Sequence, residues 1–369
     1  MTGNPFRDTN KLALGAFGIN CSGAISATTI PEAWDGSWEH NLQLAQMADA
    51  AGLDFMLPLG RWRGYGGHPD HNGHSFETLT WATGILASTR NIRVFSTVHV
   101  TLFHPVLAAK QMVTADHVGR GRFGLNIVCG WYIDEFQMFG VELGDTNARR
   151  YDQGQEWLDI VTRVWTRDEP FDYTGDFYDI RSVVGQPKPV QKPRPTIVNA
   201  GISGRGREFA MKNADLIFYS VVDTQKAASE LAQLKKDITA LGRDVGIFSN
   251  ACIVCRPTRK EAEEFYEYYA VEHANTEAVE TMMEGRGFYK MGLSEDALAR
   301  MRKRMAAGNG AHPIVGTPDD VAAEMKMLSD LGIDGLALGF VNGIEYFPYI
   351  RDEVLPRLTE MGLRAAPPA

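Results

Sequence analysis

Polar residues able to hold a ligand stand near the carboxyl ends of several apolar runs. Arg61 follows one such run, Thr97 and His99 lie in another, and Asn126 and Cys129 in a third. An amide buried inside an apolar strand costs free energy unless it is hydrogen-bonded, so Asn126 calls for a polar partner such as a ligand edge. Thr97 is β-branched and packs well in a strand whether or not it has a further role. Further on, Asn199-Ala-Gly-Ile-Ser-Gly-Arg-Gly206 joins a strand-like run to a helix-like one. A turn of this kind aims backbone N–H groups and a helix dipole at an anion, with the Ser203 hydroxyl and Gly204 in the turn itself. Tight-turn geometry explains the same glycines equally well. His71 and His74, on the loop after Arg61, are placed to face either substrate or solvent.

Other chemistries find little support. There is no Ser, His and Asp triad spacing, no H-E-x-x-H and no paired acidic ligand set, which argues against nucleophilic and metal mechanisms. Cys252-x-x-Cys255 lies in a strand pattern, where residues three apart point to opposite faces and cannot chelate together, so both are expected to be buried strand cysteines. Four cysteines in 369 residues are too few for a disulfide framework. The net charge of −9 and the lack of any Lys/Arg run argue against nucleic acid and anionic membranes as partners. No stretch reaches the roughly 18 apolar residues of a membrane span, and the N-terminus lacks the pattern of a secretory signal, which points to the cytoplasm.

The elements that must position these residues alternate along the chain. Strand-like runs fall at 11–20, 54–60, 92–100, 122–130, 196–201, 216–222, 246–256 and 335–340, and helix-like runs at 38–52, 76–89, 104–119, 152–165, 206–214, 224–241, 319–331 and 346–361. Eight strand and helix pairs predict one closed (β/α)₈ TIM barrel, because no G-x-G-x-x-G loop follows the first strand as an open dinucleotide-binding sheet would require. In such a barrel, active sites sit at the carboxyl ends of the strands. Three stretches interrupt the repeat. Residues 166–194 hold a short hairpin at 171–180 and a proline-rich extended connector. Residues 61–75 form a Gly-, Pro- and His-bearing loop. Residues 273–313, polar and Gly- and Met-bearing, are a candidate lid over the strand ends. The helix carrying Phe76, Leu79 and Trp81 offers an apolar face for a homodimer or homotetramer.

Several motifs together resemble the signature of the luciferase-like flavin monooxygenases. They are Arg120-Gly-Arg-Phe-Gly-Leu-Asn-Ile-Val-Cys-Gly-Trp131 with Glu135 and Phe136, Arg149-Arg-Tyr-Asp152, Leu53-Asp-Phe55 with Arg63-Gly-Tyr-Gly-Gly67, Pro187-Lys-Pro-Val-Gln-Lys-Pro193 and Val315-Gly-Thr-Pro318. They run in order over nearly the whole chain, and within the family they are nearest to the pyrimidine and dimethyl sulfone monooxygenases. The resemblance implies a luciferase-like barrel that uses reduced FMN and O₂ to oxygenate a small organic substrate, with NAD(P)H acting only through a separate flavin reductase. It also implies roles for particular residues. Gly60, Arg61, Asn126 and Glu135 match contacts to the flavin ring, Arg150, Tyr151 and Ser203 match ribityl and phosphate contacts, and Thr97 and Asn126 match the pair beside the O₂ pocket. Arg61 departs from the lysine of the pyrimidine enzymes, replacing a point donor with a planar fork, so uracil is not implied as substrate. A deazaflavin-dependent dehydrogenase and a non-catalytic flavin-binding protein are the alternatives on the same barrel.

Overall fold

Alternate residues of a strand face opposite ways, and in this chain the two sets pack into two different cores. The computed structural model describes residues 3–143, 146–201 and 204–366. Its strands are β1 (Ala13–Phe17), β2 (Phe55–Leu57), β3 (Arg93–His99), β4 (Phe123–Val128), β5 (Phe171–Thr174), β6 (Asp179–Val183), β7 (Thr196–Asn199), β8 (Leu216–Phe218), β9 (Gly246–Cys255), β10 (His312–Gly316) and β11 (Gly335–Gly339). Eight of them pair in parallel in the order β1, β2, β3, β4, β7, β8, β9, β11, and β11 returns to β1 to close the TIM barrel.

Inside the barrel, Phe55, Phe95 and Phe248 meet at ring-centre distances of 5.4–6.1 Å, and Phe6 packs beneath them. Glycines on neighbouring strands leave the space for these rings: a Cβ at Gly15 would lie 2.4 Å from the Phe55 ring, at Gly124 2.3 Å from Phe95 and at Gly335 2.6 Å from Phe248. The outward residues, such as Leu14, Val94, Val98, Leu125, Ile127 and Leu336, pack against the surrounding helices. Those helices start where the sequence signals them. Pro105 opens Pro105–Val118, and Thr317 and Asp320 form a reciprocal capping box at the start of Pro318–Asp330.

The bottom of the barrel is stapled by buried carboxylates. Asp54 accepts from Leu14 N at 2.8 Å, Asp49 from Ile92 N at 2.7 Å, Asp215 from Ile197 N at 2.8 Å and Asp334 from Ile247 N at 2.8 Å. Each satisfies an amide at the entry of a strand that has no ladder partner there. Asp54 also pairs with Arg364, which donates to Leu12 O at 3.0 Å and Gly52 O at 2.6 Å and so ties the C-terminus under the first strand.

All eight expected strands are present, with shorter bounds. The stretch 273–313 is more ordered than a polar excursion: it holds the helices Thr276–Gly285 and Glu295–Gly308 and ends in β10. β10 lies outside the barrel, paired with Ala251–Cys255 of β9, which outruns its barrel neighbours. The final helix is three pieces, Gly343–Tyr349, a π-helical turn Ile350–Val354 and Leu355–Glu360. The Phe76, Leu79 and Trp81 face is not free for a partner subunit. Leu79 and Trp81 are buried in the barrel–helix core and Trp81 Nε1 donates to Asn41 Oδ1 at 2.8 Å, because helix Trp38–Ala50 covers that side. All four cysteines are free and buried, with Cys252 and Cys255 in different apolar clusters on opposite faces of β9.

Replacing Arg364 with Ala leaves the Asp54 carboxylate buried without its countercharge. The expected loss is about 3 kcal/mol of stability, seen as a lower thermal midpoint in circular dichroism, with Arg364→Lys intermediate.

Candidate active site

The carboxyl ends of β2, β3 and β4 bring six of the expected residues together. Thr97 and Asn126 are paired residues on β3 and β4. Thr97 Oγ1 donates to Pro58 O at 2.7 Å and accepts from Asn126 Nδ2 at 3.1 Å. This relay fixes the Asn126 amide, and its Oδ1 is buried with no hydrogen-bond partner among the described residues. Gly60 closes the same corner: a Cβ there would stand 2.8 Å from both Thr97 Cγ2 and His99 Cε1.

Arg61 leaves β2 and turns into the fold, only 7% exposed. Its Nε donates to Gly60 O at 2.7 Å, its Nη1 to the Tyr65 hydroxyl at 2.8 Å, and its Nη2 stands 3.3 Å from Glu135 Oε2 in a buried ion pair. Glu135, in the short helix Ile133–Gln137, uses its other oxygen to accept from Trp62 N at 2.8 Å and Arg63 N at 3.4 Å. Burial pushes the Glu135 carboxyl up more than Arg61 pulls it down. Aromatic rings enclose the Arg61 guanidinium, with Tyr65, Trp131 and Tyr132 centred 5.2, 5.4 and 5.7 Å from its Cζ.

His71 is buried and stacks on Tyr65 at 6.0 Å, with its Nε2 unpartnered among the described residues. His74 is not part of the group: it is exposed and meets Phe76 edge-on. Burial, then the nearby Arg61 charge, pushes both His71 and His99 down to about 3, so both are neutral imidazoles at neutral pH.

A second group lies at β4 and β7. Arg150 and Tyr151 are in the helix Asn147–Thr166, and the Arg150 side chain forms no ion pair or hydrogen bond among the described residues. Its charge acts on the Cys129 thiol, which burial pushes up to about 12. Tyr151 faces the first turn of the helix Gly204–Asn213, so that a Cβ on Gly206 would lie 2.8 Å from its hydroxyl. Asn199 braces the preceding turn, accepting from Gly201 N and donating to Ile127 O, both at 2.8 Å. Gly204 begins the helix with φ +51°, while Ser203 lies outside the described residues. Arg150, unpartnered among the described residues and next in sequence to the Tyr151 that faces the first turn of a ten-residue helix, suits a phosphate, and the Asn126 oxygen, likewise unpartnered among the described residues, suits the polar edge of a flavin ring.

The insertion at 273–313 packs over this end of the barrel. Asn275 Nδ2 donates to Pro69 O at 2.8 Å, Asn275 N to Ala27 O at 2.9 Å and Ala27 N to Ala306 O at 2.8 Å. Arg304 donates to Val221 O and Val222 O at 2.8 and 2.9 Å beyond β8. Sequence reasoning missed Tyr65, Trp131, Tyr132 and Arg286 as site residues. The first two stand inside motifs already noticed, whereas nothing local marks Arg286.

Residues 16–335 match the family model for luciferase-like monooxygenases, and the chain belongs to that family. It is 28% identical over 354 residues to an FMNH(2)-dependent dimethylsulfone monooxygenase of Pseudomonas putida, covering 93% of this chain and 94% of that one. It is 30% identical over 342 residues to the pyrimidine monooxygenase RutA of Allorhizobium ampelinum, covering 89% and 92%. The crystal structure of the long-chain alkane monooxygenase LadA shares the fold, with a TM-score of 0.85 at 22% identity over 96% of this chain and 93% of that one.

Two neutral buried histidines give a pH signature. Their folded pKa lies below the ordinary 6.5, so between about 6.5 and 3 the unfolded chain binds more protons and stability falls as pH falls. Each contributes a slope of up to about 1.4 kcal/mol per pH unit. Chemical denaturation at pH 7, 6, 5 and 4 should show this decline, and His99→Gln should make it shallower.

Proposed function

We propose that this protein is the oxygenase component of a two-component system, taking reduced FMN from a separate NAD(P)H-dependent flavin reductase and oxygenating a small organic substrate with O₂. The observation that carries the reading is the buried Asn126 Oδ1, held in place by Thr97 and left without a partner among the described residues. Membership of the luciferase-like family and relatives named as FMNH(2)-dependent monooxygenases support it. Reduced FMN supplies the two electrons that let O₂ deliver one oxygen atom to substrate and the other to water.

The chain's own residues supply position and environment. Gly60, Arg61, Asn126 and Glu135 line the ring side of the cofactor, and the glycine allows close approach where any side chain would strike His99 and Thr97. Arg150, Tyr151, Ser203 and Gly204 take the ribityl and phosphate end, where a guanidinium can pair bidentately with phosphate. Thr97 and Asn126 bound the side at which O₂ enters. His71 and His74 are assigned to the substrate side. His71 is placed to hydrogen-bond there as a neutral imidazole, and the exposed His74 could meet substrate only at the rim. The insertion 273–313 acts as the lid that excludes water and strengthens every polar contact beneath it. Homodimers or homotetramers in the cytoplasm complete the proposal.

The test is anaerobic titration with reduced FMN, followed by mixing with O₂ and a panel of heterocycles, sulfones and ketones while oxygenated product is measured. Asn126→Ala should keep the wild-type circular dichroism spectrum and lower product formation roughly 100-fold, the scale of losing one oriented hydrogen-bonding group. Absence of any affinity for FMN in either redox state would overturn the proposal. Cofactor-dependent hydride transfer from a deazaflavin, without O₂ uptake, would assign the barrel to a dehydrogenase.

A further inference from the structure

One guanidinium near Arg61 is not among the residues assigned above to the flavin. Arg286, the first residue past helix Thr276–Gly285, reaches in from the insertion until its Cζ lies 5.6 Å from the centre of the Trp131 ring, whose centre is also 5.4 Å from Arg61 Cζ. The Tyr65 hydroxyl accepts from Arg61 and lies close enough to Arg286 for the two to interact electrostatically. Two cations therefore converge on one indole and one phenol.

Charge at this point does not balance. Glu135 is already committed to Arg61 and to the amides of Trp62 and Arg63. Arg286 forms no ion pair among the described residues, and its other acceptors are neutral: Asn309 O at 3.1 Å, Asn309 Oδ1, and Met305 Sδ at 3.3 Å. The surroundings are apolar, with Tyr132, Met282, Met283 and Met305 in one cluster. Arg286 is only partly buried as a whole residue, but its guanidinium is the inward end. Burial and the repulsion of Arg61 both push that group down, with Tyr65 opposing them. A guanidinium enclosed by aromatic and thioether groups without a countercharge is unfavourable until an anion joins it, and its planar fork fits a carboxylate or sulfonate.

We propose that Arg286, with Arg61 and the Tyr65 hydroxyl beside it, forms a subsite for an anionic head group, carboxylate or sulfonate, on the molecule this enzyme oxygenates. Calling that molecule the substrate rests on the flavin monooxygenase proposal, whereas the anion subsite itself does not. Because Arg286 belongs to the insertion, an anion bound there also ties the cover to the barrel, and the head group is recognised only with the insertion packed down.

Calorimetric titration of the protein, with and without oxidised FMN, tests this using alkanoates against their primary amides and alkanesulfonates against matched sulfones. At least one anion series should bind about tenfold or more tightly than its neutral counterpart, the increment of a desolvated charge-assisted pair. Arg286→Gln should bring that ratio near one, and Arg286→Lys should keep part of it. Unchanged FMN affinity and thermal midpoint would show that both variants are folded. Equal binding of anion and neutral partner, no anion binding at all, or a preference that survives in Arg286→Gln refutes the subsite. An anion preference in a protein that takes up no FMN would instead overturn the flavin proposal and leave the subsite standing.

Discussion

The buried pair between Arg61 and Glu135 is the contact on which the active end of the barrel depends. Removing a charged group from water is unfavourable by several kcal/mol unless it is paired and hydrogen-bonded, and here each charge has the other close by and polar partners of its own. Arg61 spends its fork on Gly60, Tyr65 and Glu135, while Glu135 spends its second oxygen on the amides of Trp62 and Arg63. One interaction thereby fixes the direction in which the chain leaves β2, the position of the helix Ile133–Gln137 after β4, and the orientation of Tyr65. From Tyr65 the order passes to His71 by stacking, and from Pro69 to Asn275 of the insertion by a hydrogen bond.

The two ends of the barrel divide structural and chemical tasks. At the bottom, Asp49, Asp54, Asp215 and Asp334 satisfy strand-entry amides, and Phe6 fills the opening under the phenylalanine layer. Those carboxylates are committed to internal partners. At the top, several polar atoms are buried yet unpartnered among the described residues: Asn126 Oδ1, His99 Nδ1 and His71 Nε2. Since buried polar groups in folded proteins are nearly always paired, such a cluster marks a place shaped for something other than protein.

Covering that place falls to the insertion between β9 and the helix Pro318–Asp330. Its helices carry methionines and alanines inward against Tyr65 and Tyr132, and its polar contacts go to loops after β1, β2 and β8. Methionine is unbranched and polarizable, which suits packing across the irregular surface presented by Tyr65 and Tyr132. The proposed anion subsite joins this cover to the strand ends through Arg286.

Much of this was legible in the sequence. The eight barrel strands show as short apolar runs spaced by amphipathic helices, and the motif around Asn126 and Glu135 places the family, because both signals are local and repeat along the chain. Thr97, Asn126 and Arg61 were findable as candidates for the same reason, since each stands near the end of a strand, whereas Gly60 came only from the family resemblance. Other features depend on contacts between distant segments. β10 is a strand only because β9 runs past its barrel neighbours, the Leu79 and Trp81 face is internal only because helix Trp38–Ala50 lies over it, and His74 turns to solvent while His71, three residues earlier, turns in. Arg286 meets Arg61 across more than two hundred residues, and no local pattern encodes that meeting. The sequence by itself determined the eight barrel strands, their order and the family. The tertiary structure decided which polar groups are left unpaired and which charges face each other, since burial and long-range packing set both.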